Sequence, residues 1–549
     1  MIGLKPRIGS IALSLKKYQH VIANRIQRLF DGFSPQATAL SALSGLLMAL
    51  SFAPYDMWFF VWVGLIPLLY ALEDRSLKGT YWLSVLSGAN MVWFGYTWLP
   101  LTVETFWHLP LPIGYLFLGA FGFFAGQALG LVAVLARWIV AQTPWMPRGL
   151  VWSIVCVSVW SVFPMVLHFT FGNALHTVPV TLQGISLLGG ESADFTIVLT
   201  NYGLYAFVRR RRLSEPRSHT LITWAWICLW FGYGLISFQQ WTDTVDGWDT
   251  IKVGLLQTHR ESTSKRLPPE PGYSRTYPVE IAMSERLAQK GAEVIVFPEG
   301  HKFGYFKELH VRRALHRAAR RMETDILLHD KGWGHLLDGT NIPQKRNSTI
   351  LLRRNGEFGG IYHKRKLVPF GEYYPLIGDH PEWIERLGLF KPMVAGETPV
   401  LFEAGGMHIQ ALICYETIFG QFVAESMSYD GTGKVLAVQT NDGWYGGGAQ
   451  TAQHRSFSVL RAIENRVSLI QAINDGQSHV VTPDGRYLFV GDEWTRAEYV
   501  VDLPYDPASG GTLYTRMPYL FLSVIWVIFL ALILHVIRHR LRTRAADTH

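Results

Sequence analysis

The stretch HIQALICYE, residues 408–416, decides the fold of this chain. Its apolar run is typical of a buried strand, and the strand ends on Cys414, the single cysteine of a long polar region. The other two cysteines, Cys156 and Cys228, fall inside apolar segments, so the sequence has neither a disulfide framework nor a CxxC metal pattern. A cysteine at such a place is either a buried structural residue or a nucleophile, and its neighbours decide which.

Two other patches of the polar region are dense in reactive residue types. The segment FPEG, residues 297–300, carries Glu299 at the end of an apolar run. The segment YHKRKLVPFGE, residues 362–372, carries Lys364 and Glu372. In α/β domains, reactive groups gather at the carboxyl ends of strands. A thiol, a carboxylate and an ammonium, each near the end of a strand-like run, therefore predict a covalent acyl-transfer site.

The polar region alternates between strand-like and helix-like segments over residues 250–503. The predicted strands are Ile251–Gln257, Glu293–Phe297, Asp325–His329, Ser348–Arg353, His408–Cys414, Lys434–Gln439, Val467–Ala472 and His479–Val481. Helical stretches are predicted over Tyr273–Gly291, His310–Met322 and Gln453–Asn465, with a turn at Asn355-Gly356. This alternation is typical of an α/β layered domain.

The composition of the whole chain indicates a membrane protein. Apolar types make up 49% of 549 residues and charged types only 17%, whereas about 25% is usual for a soluble domain. The formal charge of +8 could suggest a nucleic-acid partner. Its basic residues, however, concentrate in short loops between apolar runs, where they set membrane orientation. We therefore expect no nucleic-acid partner.

Eight apolar stretches approach the roughly 20 residues that a bilayer crossing needs. They centre on Ala39–Phe52, Met57–Leu72, Thr80–Leu99, Leu111–Leu135, Leu150–Phe171, Leu182–Val208, Leu221–Phe238 and Met517–Ile537. The first two are short and meet at a turn, so they could be tilted or form a hairpin. The sequence thus predicts a polytopic α-helical membrane bundle of about eight spans beside the α/β domain.

The loops between these stretches alternate between basic loops and loops without Lys or Arg, the latter at 53–56, 100–110 and 172–181. The positive-inside bias then places both termini in the cytoplasm and the α/β domain on the far side, which is the periplasm of a Gram-negative cell. The predicted organisation is a basic N-terminal arm, a seven-span block, a periplasmic domain, and a last span with a basic tail. Their bounds are residues 1–36, 37–238, 239–515 and 516–549, respectively.

A family resemblance is carried by five motifs that occur in the family's order. They are FPEG (297–300), YHKRKLVPFGEYYP (362–375), ICYE (413–416), QTNDGWYG (439–446) and QHRSFSVLRAIENR (453–466). They resemble the nitrilase, or carbon–nitrogen hydrolase, superfamily, and together with the apolar block they resemble the apolipoprotein N-acyltransferase family. The resemblance implies an αββα domain in the bacterial inner membrane, acting without cofactor or metal. It implies transfer of a fatty acyl chain from a glycerophospholipid to the N-terminal amine of diacylglyceryl-cysteine in lipoproteins.

The same resemblance implies roles for five residues. Cys414 would be the nucleophile that carries the acyl group as a thioester, Glu299 the general base and Lys364 the electrostatic partner. Glu372 and Glu416 match two further acidic positions of the site. Glu372 would hold Lys364 charged or serve as a second proton carrier; the simpler alternative is a pair with a loop arginine. Glu416 could equally be an acceptor for backbone amides.

Cysteine chemistry sets conditions on these roles. A free thiol with a pKa of about 8.5 is mostly protonated at neutral pH, so it needs a base or a nearby cation. Glu299 can serve as that base if burial raises the pKa of its carboxyl group toward neutrality. Lys364 would stabilise the thiolate and then the oxyanion of the tetrahedral intermediate.

Other polar residues of the motifs have simpler interpretations. We expect His363 and His454 to make structural hydrogen bonds and the turn 441–443 to shape a loop. Arg461 and Glu464 are expected to form a helix pair that supports the site. Glu104 and Glu191 lie at or within apolar segments, where a carboxylate suggests function.

The membrane block departs from the family pattern at two places. Residues 161–164 read SVFP where Glu-Trp-Leu-Arg is usual, and residues 171–174 read FGNA where a Gly-Phe-Pro-Trp element is usual. The first polar strand also ends in QTHR, residues 257–260, instead of a Gln-Gly-Asn turn. These departures concern the substrates, so a membrane-anchored acyltransferase or amidase for another amine or amide stays an alternative. A non-enzymatic scaffold is a further alternative, and the intact set of Glu299, Lys364 and Cys414 argues against it.

Overall fold

The computed structural model describes residues 34–547 except 168, 214, 264–265, 335–343, 379, 388, 430 and 432. Most of the predicted N-terminal arm therefore lies outside the described residues. An α-helical block comes first, an α/β domain follows, and a long helix ends the described chain. This order of elements matches the order that the sequence predicts.

The helices of the apolar block differ widely in length. They are α1 Pro35–Leu50, α2 Ile66–Ala71, α3 Leu77–Gly95, α4 Leu99–Trp107, α5 Leu111–Val140, α6 Arg148–Val162, α7 Ile185–Leu188, α8 Gly190–Val208, α9 Arg210–Leu213 and α10 Arg217–Asp246. In the described part, α5, α10 and the segment Leu520–Thr543 are long and apolar enough to cross a membrane. Eight full spans remain a prediction.

Several predicted spans are interrupted for local reasons. The stretch Met57–Leu72 is divided between a 3-10 turn, Trp58–Trp62, and the short helix α2. Helix α6 ends at Val162 instead of reaching Phe171, because Pro164 has no N–H and forces the preceding residue out of helical backbone. Gly189, with φ +82°, separates α7 from α8.

The α/β domain contains two six-stranded sheets. The strands are β1 Asp249–Gln257, β2 Val294–Val296, β3 Asp325–Gly334, β4 Gln344–Leu352, β5 Phe358–His363, β6 Leu401–Ala404, β7 Met407–Ile413, β8 Lys434–Thr440, β9 Leu469–Ile473, β10 His479–Val481, β11 Tyr487–Val490 and β12 Ala497–Tyr505. The strand orders are β12-β1-β2-β3-β4-β5 and β11-β10-β9-β8-β7-β6. The neighbours β1, β2 and β3 are parallel, as are β7, β8 and β9, so their carboxyl ends share an edge in each sheet.

Helices cover the outer faces of the two sheets, and the inner faces pack together. The domain helices are α11 Val279–Gln289, α12 Leu309–Met322, α13 Pro381–Arg386, α14 Gly420–Ser428, α15 Gln450–Asn465 and α16 Leu513–Arg516, and α17 Leu520–Asp547 closes the chain. Gln439 of β8 donates hydrogen bonds to the carbonyls of Phe297 and Leu327 in the other sheet, at 2.8 and 2.9 Å. The predicted αββα layering, the basic helix and the hairpin turn at Asn355-Gly356 are confirmed.

Arg466 joins the α/β domain to the helical block. Its buried guanidinium donates to Gln183 Oε1 at 2.7 Å, to the Pro483 carbonyl at 3.1 Å and to Ser237 Oγ at 2.9 Å. It also stacks on the Trp241 ring, 4.7 Å from the centroid. A buried cation with this many partners fixes the relative position of the two parts.

Replacing Arg466 with Met should destabilise the protein by about 3 kcal/mol, since it leaves buried acceptors without donors. The measurement is the thermal unfolding midpoint of purified protein in detergent. Arg313→Met, at an exposed position of α12, is the matched control. An unchanged midpoint for Arg466→Met would contradict this account of the contact.

Candidate active site

Cys414 follows the last residue of β7 and begins a 3-10 turn, Cys414–Ile418. Its backbone is left-handed, with φ +52°, and its side chain is 5% exposed. Such a conformation is strained for a residue with a Cβ and persists only when its surroundings enforce it. Here Thr417 Oγ1 donates to the Cys414 carbonyl at 3.0 Å.

Glu416 also stabilises the 3-10 turn that Cys414 begins. Its carboxylate accepts the backbone N–H groups of Ile413 at 2.7 Å, Arg365 at 2.6 Å and Lys366 at 3.0 Å. The Tyr362 hydroxyl donates to both of its oxygens at 2.8 Å. Glu416 therefore has the geometry of an acceptor for backbone amides, and it ties the turn at Cys414 to the segment that follows Lys364.

Lys364 lies among carboxylates, almost fully buried at 1% exposure. Its Nζ is 3.0 Å from Glu372 Oε2 and 3.8 Å from Glu299 Oε1. Asn347 Nδ2 donates to Glu299 Oε1 and to Glu372 Oε1, both at 2.8 Å. Glu372 also accepts the backbone N–H of Val368 at 3.0 Å. The structure thus brings Glu299, Lys364 and Glu372 into one network, and Glu372 contacts Lys364 as the sequence predicts.

Lys331 belongs to the same network, although the sequence analysis missed it. Its Nζ lies 2.7 Å from Glu299 Oε1 and 4.0 Å from Glu372 Oε1. Lys331 is two residues beyond His329 on β3, so both side chains point to the face of the sheet that carries the site. That period-two spacing in DILLHDKGWG, residues 325–334, is the signal that could have revealed both residues.

The pKa of Glu299 is lower than we expected from burial. Burial raises the pKa of its carboxyl group, but the ammonium groups of Lys331 and Lys364 outweigh that effect and hold it well below its usual range. The condition that burial raises this pKa toward neutrality is therefore not met in the resting site. The cause is the second cation, Lys331, which makes the ionised form of Glu299 the resting form.

The Cys414 thiol and the Lys364 ammonium both keep their protons in the resting site. Burial, followed by the negative charge of Glu299, raises the pKa of Cys414, and Lys364 only partly offsets this. Burial lowers the pKa of Lys364, but Glu372 and Glu299 outweigh it and hold that pKa above its usual value. The resting site therefore combines a protonated thiol, a charged lysine and an ionised carboxylate.

His329 supports the network through contacts with Gly300 and Asn347. Its Nδ1 accepts the N–H of Gly300 at 3.3 Å, and its Nε2 lies 2.6 Å from Asn347 Oδ1. Burial lowers the pKa of His329 to about 3, so the ring is neutral. Gly300 itself has φ +114°, and a Cβ there would meet Asn441 Nδ2 at 2.6 Å. Only glycine fits after Glu299.

The remaining motif residues support the loops around the site. His363 Nδ1 lies 2.8 Å from Ser348 Oγ, and His454 Nδ1 lies 2.9 Å from Asp442 Oδ1. Arg461 and Glu464 form a buried pair at 2.9 Å. The structural roles expected for these residues agree with these contacts. Among the described residues, no group of three or more His, Cys, Asp or Glu comes together to hold a metal.

A mainly apolar cavity extends from the turn Cys414–Ile418 into the helical block. Tyr415, Ile418 and Tyr445 line it from the α/β domain, and Met91 and Trp98 line it from the block. The Tyr445 and Trp98 rings meet edge to face at 5.3 Å. The cavity has the lining that a hydrocarbon chain requires.

Comparisons with known proteins agree with this geometry. The carbon-nitrogen hydrolase family model matches residues 271–506, and the model of the apolipoprotein N-acyltransferase N-terminal domain matches residues 44–203. The first match defines the class: an α/β carbon–nitrogen hydrolase domain, here joined to a membrane block. The two matches together identify the chain as a member of the apolipoprotein N-acyltransferase family.

Curated relatives align with most of the chain. Apolipoprotein N-acyltransferases of Geobacter metallireducens and Vibrio cholerae are each 26% identical, covering 83% and 82% of this chain and 87% of both relatives. The enzyme of that name from Thermotoga maritima is also 26% identical, over 88% of this chain and 91% of its own. These alignments include the membrane block as well as the α/β domain.

Removing Lys331 should shift the pH dependence of acyl transfer. In Lys331→Gln the largest charge that lowers the pKa of Glu299 is lost, so that pKa rises. If ionised Glu299 is required, activity is lost as pH falls through this pKa, and the acid limb of the pH–rate profile moves to higher pH. Lys307→Gln, an exposed lysine, is the control. Superimposable acid limbs for Lys331→Gln and the native protein would contradict the role of Lys331.

His329 should make the protein less stable in acid. An unfolded histidine binds a proton below about pH 6.5, whereas the folded His329 stays neutral down to about pH 3. Stability therefore falls across that window, by up to about 1.4 kcal/mol per pH unit for this residue. Melting midpoints at pH 7.5 and pH 5 should differ less in His329→Gln than in the native protein. Equal differences would show that His329 makes no such contribution.

Proposed function

We propose that this chain transfers a fatty acyl chain from a glycerophospholipid, through a thioester on Cys414, to the N-terminal amine of diacylglyceryl-cysteine in a lipoprotein. The observation that carries the proposal is the buried Lys364 ammonium, held by Glu372 and Glu299 next to a strained, buried cysteine. Family membership supplies the substrate classes. The chemistry follows from these residues.

In the first half-reaction, Glu299 accepts the proton of the Cys414 thiol as the sulfur attacks the ester carbonyl. The tetrahedral intermediate places a negative charge on oxygen, and Lys364 stabilises it as a preformed cation. That new charge weakens the hold of Lys364 on Glu299, so the pKa of Glu299 rises as the proton arrives. The proton then passes to the leaving alkoxide, which departs as a lysophospholipid.

In the second half-reaction, the lipoprotein amine attacks the thioester carbonyl. The amine loses a proton to Glu299, a new C–N bond forms, and the C–S bond breaks. The proton returns to sulfur and restores the thiol. Two chemical steps through one covalent intermediate give ping-pong kinetics.

The membrane block gives lipids access to the thiol. The apolar cavity between the block and the turn at Cys414 has the apolar lining that an acyl chain requires. The positive-inside bias supports a periplasmic domain over residues 239–515, with both termini in the cytoplasm and about eight spans. We infer from this arrangement that the donor is taken from the outer leaflet of the inner membrane.

A second candidate is a membrane-anchored enzyme of the same chemistry with a different substrate. It would either acylate another amine or hydrolyse an amide. One observation favours it. Asn173, in the FGNA segment that departs from the family pattern, lines the apolar cavity and donates to Ser456 Oγ at 3.0 Å. The departure therefore lies where a substrate would be recognised.

The deciding test uses a strain that is depleted of its own copy of this protein. The strain is then complemented with the native protein or with the Cys414→Ala variant. Mass spectrometry of lipoprotein N-termini should show the third acyl chain with native protein and its loss with Cys414→Ala. Cys228→Ala, which removes an exposed cysteine of α10, is the control and should behave as native. Unchanged N-termini on depletion would reject the lipoprotein acceptor and favour the second candidate.

A further inference from the structure

Lys331 and Lys345 face the same region next to the active site. In the antiparallel pair β3–β4, Lys331 is opposite Asn347, and Lys345 is two residues before Asn347. Residues with this diagonal relation lie on one face of a sheet, with Cα atoms about 7–8 Å apart, within reach of long side chains. Asn347 binds both carboxylates of the site, so the two lysines lie at its edge.

A third lysine enters from the loop after Glu299. The backbone N–H of Lys331 donates to the His301 carbonyl at 3.0 Å, which brings the next residue, Lys302, to the same place. Lys302 Nζ donates to the Thr263 carbonyl at 2.9 Å and is thereby held in position. Three ammonium groups from three segments of the chain thus converge beside Glu299.

The electrostatics agree with this geometry. Burial, and then the charges of Lys331 and Lys345, lower the pKa of Lys302 to about 8. Burial and Lys331 also lower the pKa of Lys345. Mutual repulsion of this kind is relieved when an anion binds between the ammonium groups.

The described carboxyl groups near these lysines have other partners or are only partly ionised. Glu299 and Glu372 contact Lys364. Glu416, which also faces Lys364, accepts backbone N–H groups. Burial raises the pKa of Asp330 to about 7, so its carboxyl group is only partly ionised near neutrality.

We propose that Lys302, Lys331 and Lys345 form an anion subsite that binds the phosphate group of the acyl donor. The assignment to the acyl donor rests on the proposed function. Lysine ammonium groups are suitable phosphate ligands because each is a compact charge with several donors. In a glycerophospholipid, only the glycerol unit separates the phosphate from the ester that Cys414 attacks. A phosphate bound beside Glu299 would hold that ester at the thiol. Free phosphate offers the same oxyanion, and the experiment distinguishes the two sources.

The test compares two acyl donors with the same chain, a phospholipid and the p-nitrophenyl ester, which has no phosphate. The double variant Lys302→Gln/Lys345→Gln should raise KM for the phospholipid about tenfold, as expected for lost charged hydrogen bonds. Its kcat, and both constants for the p-nitrophenyl ester, should stay within about twofold of native values. Lys307→Gln, an exposed lysine outside the subsite, should leave all constants unchanged. Inorganic phosphate should compete with the phospholipid in the native protein and much less in the double variant.

Each alternative result has a distinct meaning. Equal changes with both donors, or no change with either, would overturn the subsite. Loss of competition by inorganic phosphate without a change in the phospholipid KM would assign the lysines to free phosphate and overturn the lipid assignment. Failure of the native protein to form an acyl-enzyme from the p-nitrophenyl ester would instead overturn the proposed function, and the subsite with it.

Discussion

The buried ammonium of Lys364 is the constraint on which the rest of the site depends. A charge this deep in a protein is tolerated only when carboxylates and hydrogen bonds compensate it. Glu372 and Glu299 supply the charge, and Asn347 holds both of them in place. Because Glu299, Asn347 and the segment 362–372 are separate in the sequence, the strands of the first sheet must pair correctly before this network can form.

The two sheets bring these segments together. The parallel strands place Glu299 and Cys414 at carboxyl ends, and Gln439 bridges the sheets between them. Glu416 then links the turn at Cys414 to the backbone beyond Lys364. A single carboxylate thus couples the strained conformation of the nucleophile to the position of the cation. Arg466 provides the corresponding link to the helical block, and the apolar cavity lies between that block and the turn that Cys414 begins.

Much of this arrangement could be predicted from sequence, since strand-end residues are recognisable from local patterns. Cys414, Glu299 and Lys364 each follow an apolar run, and the structure places all three together. The low pKa of Glu299 could not be predicted, because it depends on Lys331, whose position is fixed by pairing between strands distant in sequence. The helix lengths were overestimated for a different reason. Hydropathy does not register the backbone breaks at Pro164 and Gly189.

The central claim is that the thiol of Cys414 keeps its proton until a substrate arrives, because burial and Glu299 outweigh Lys364. The most direct measurement is the alkylation rate of Cys414 by a small neutral reagent as a function of pH, followed by peptide mass spectrometry without substrate. The account predicts slow alkylation at neutral pH and a rate that still rises above pH 9. A rate that is fast and constant through neutral pH would reveal a preformed thiolate and contradict the account.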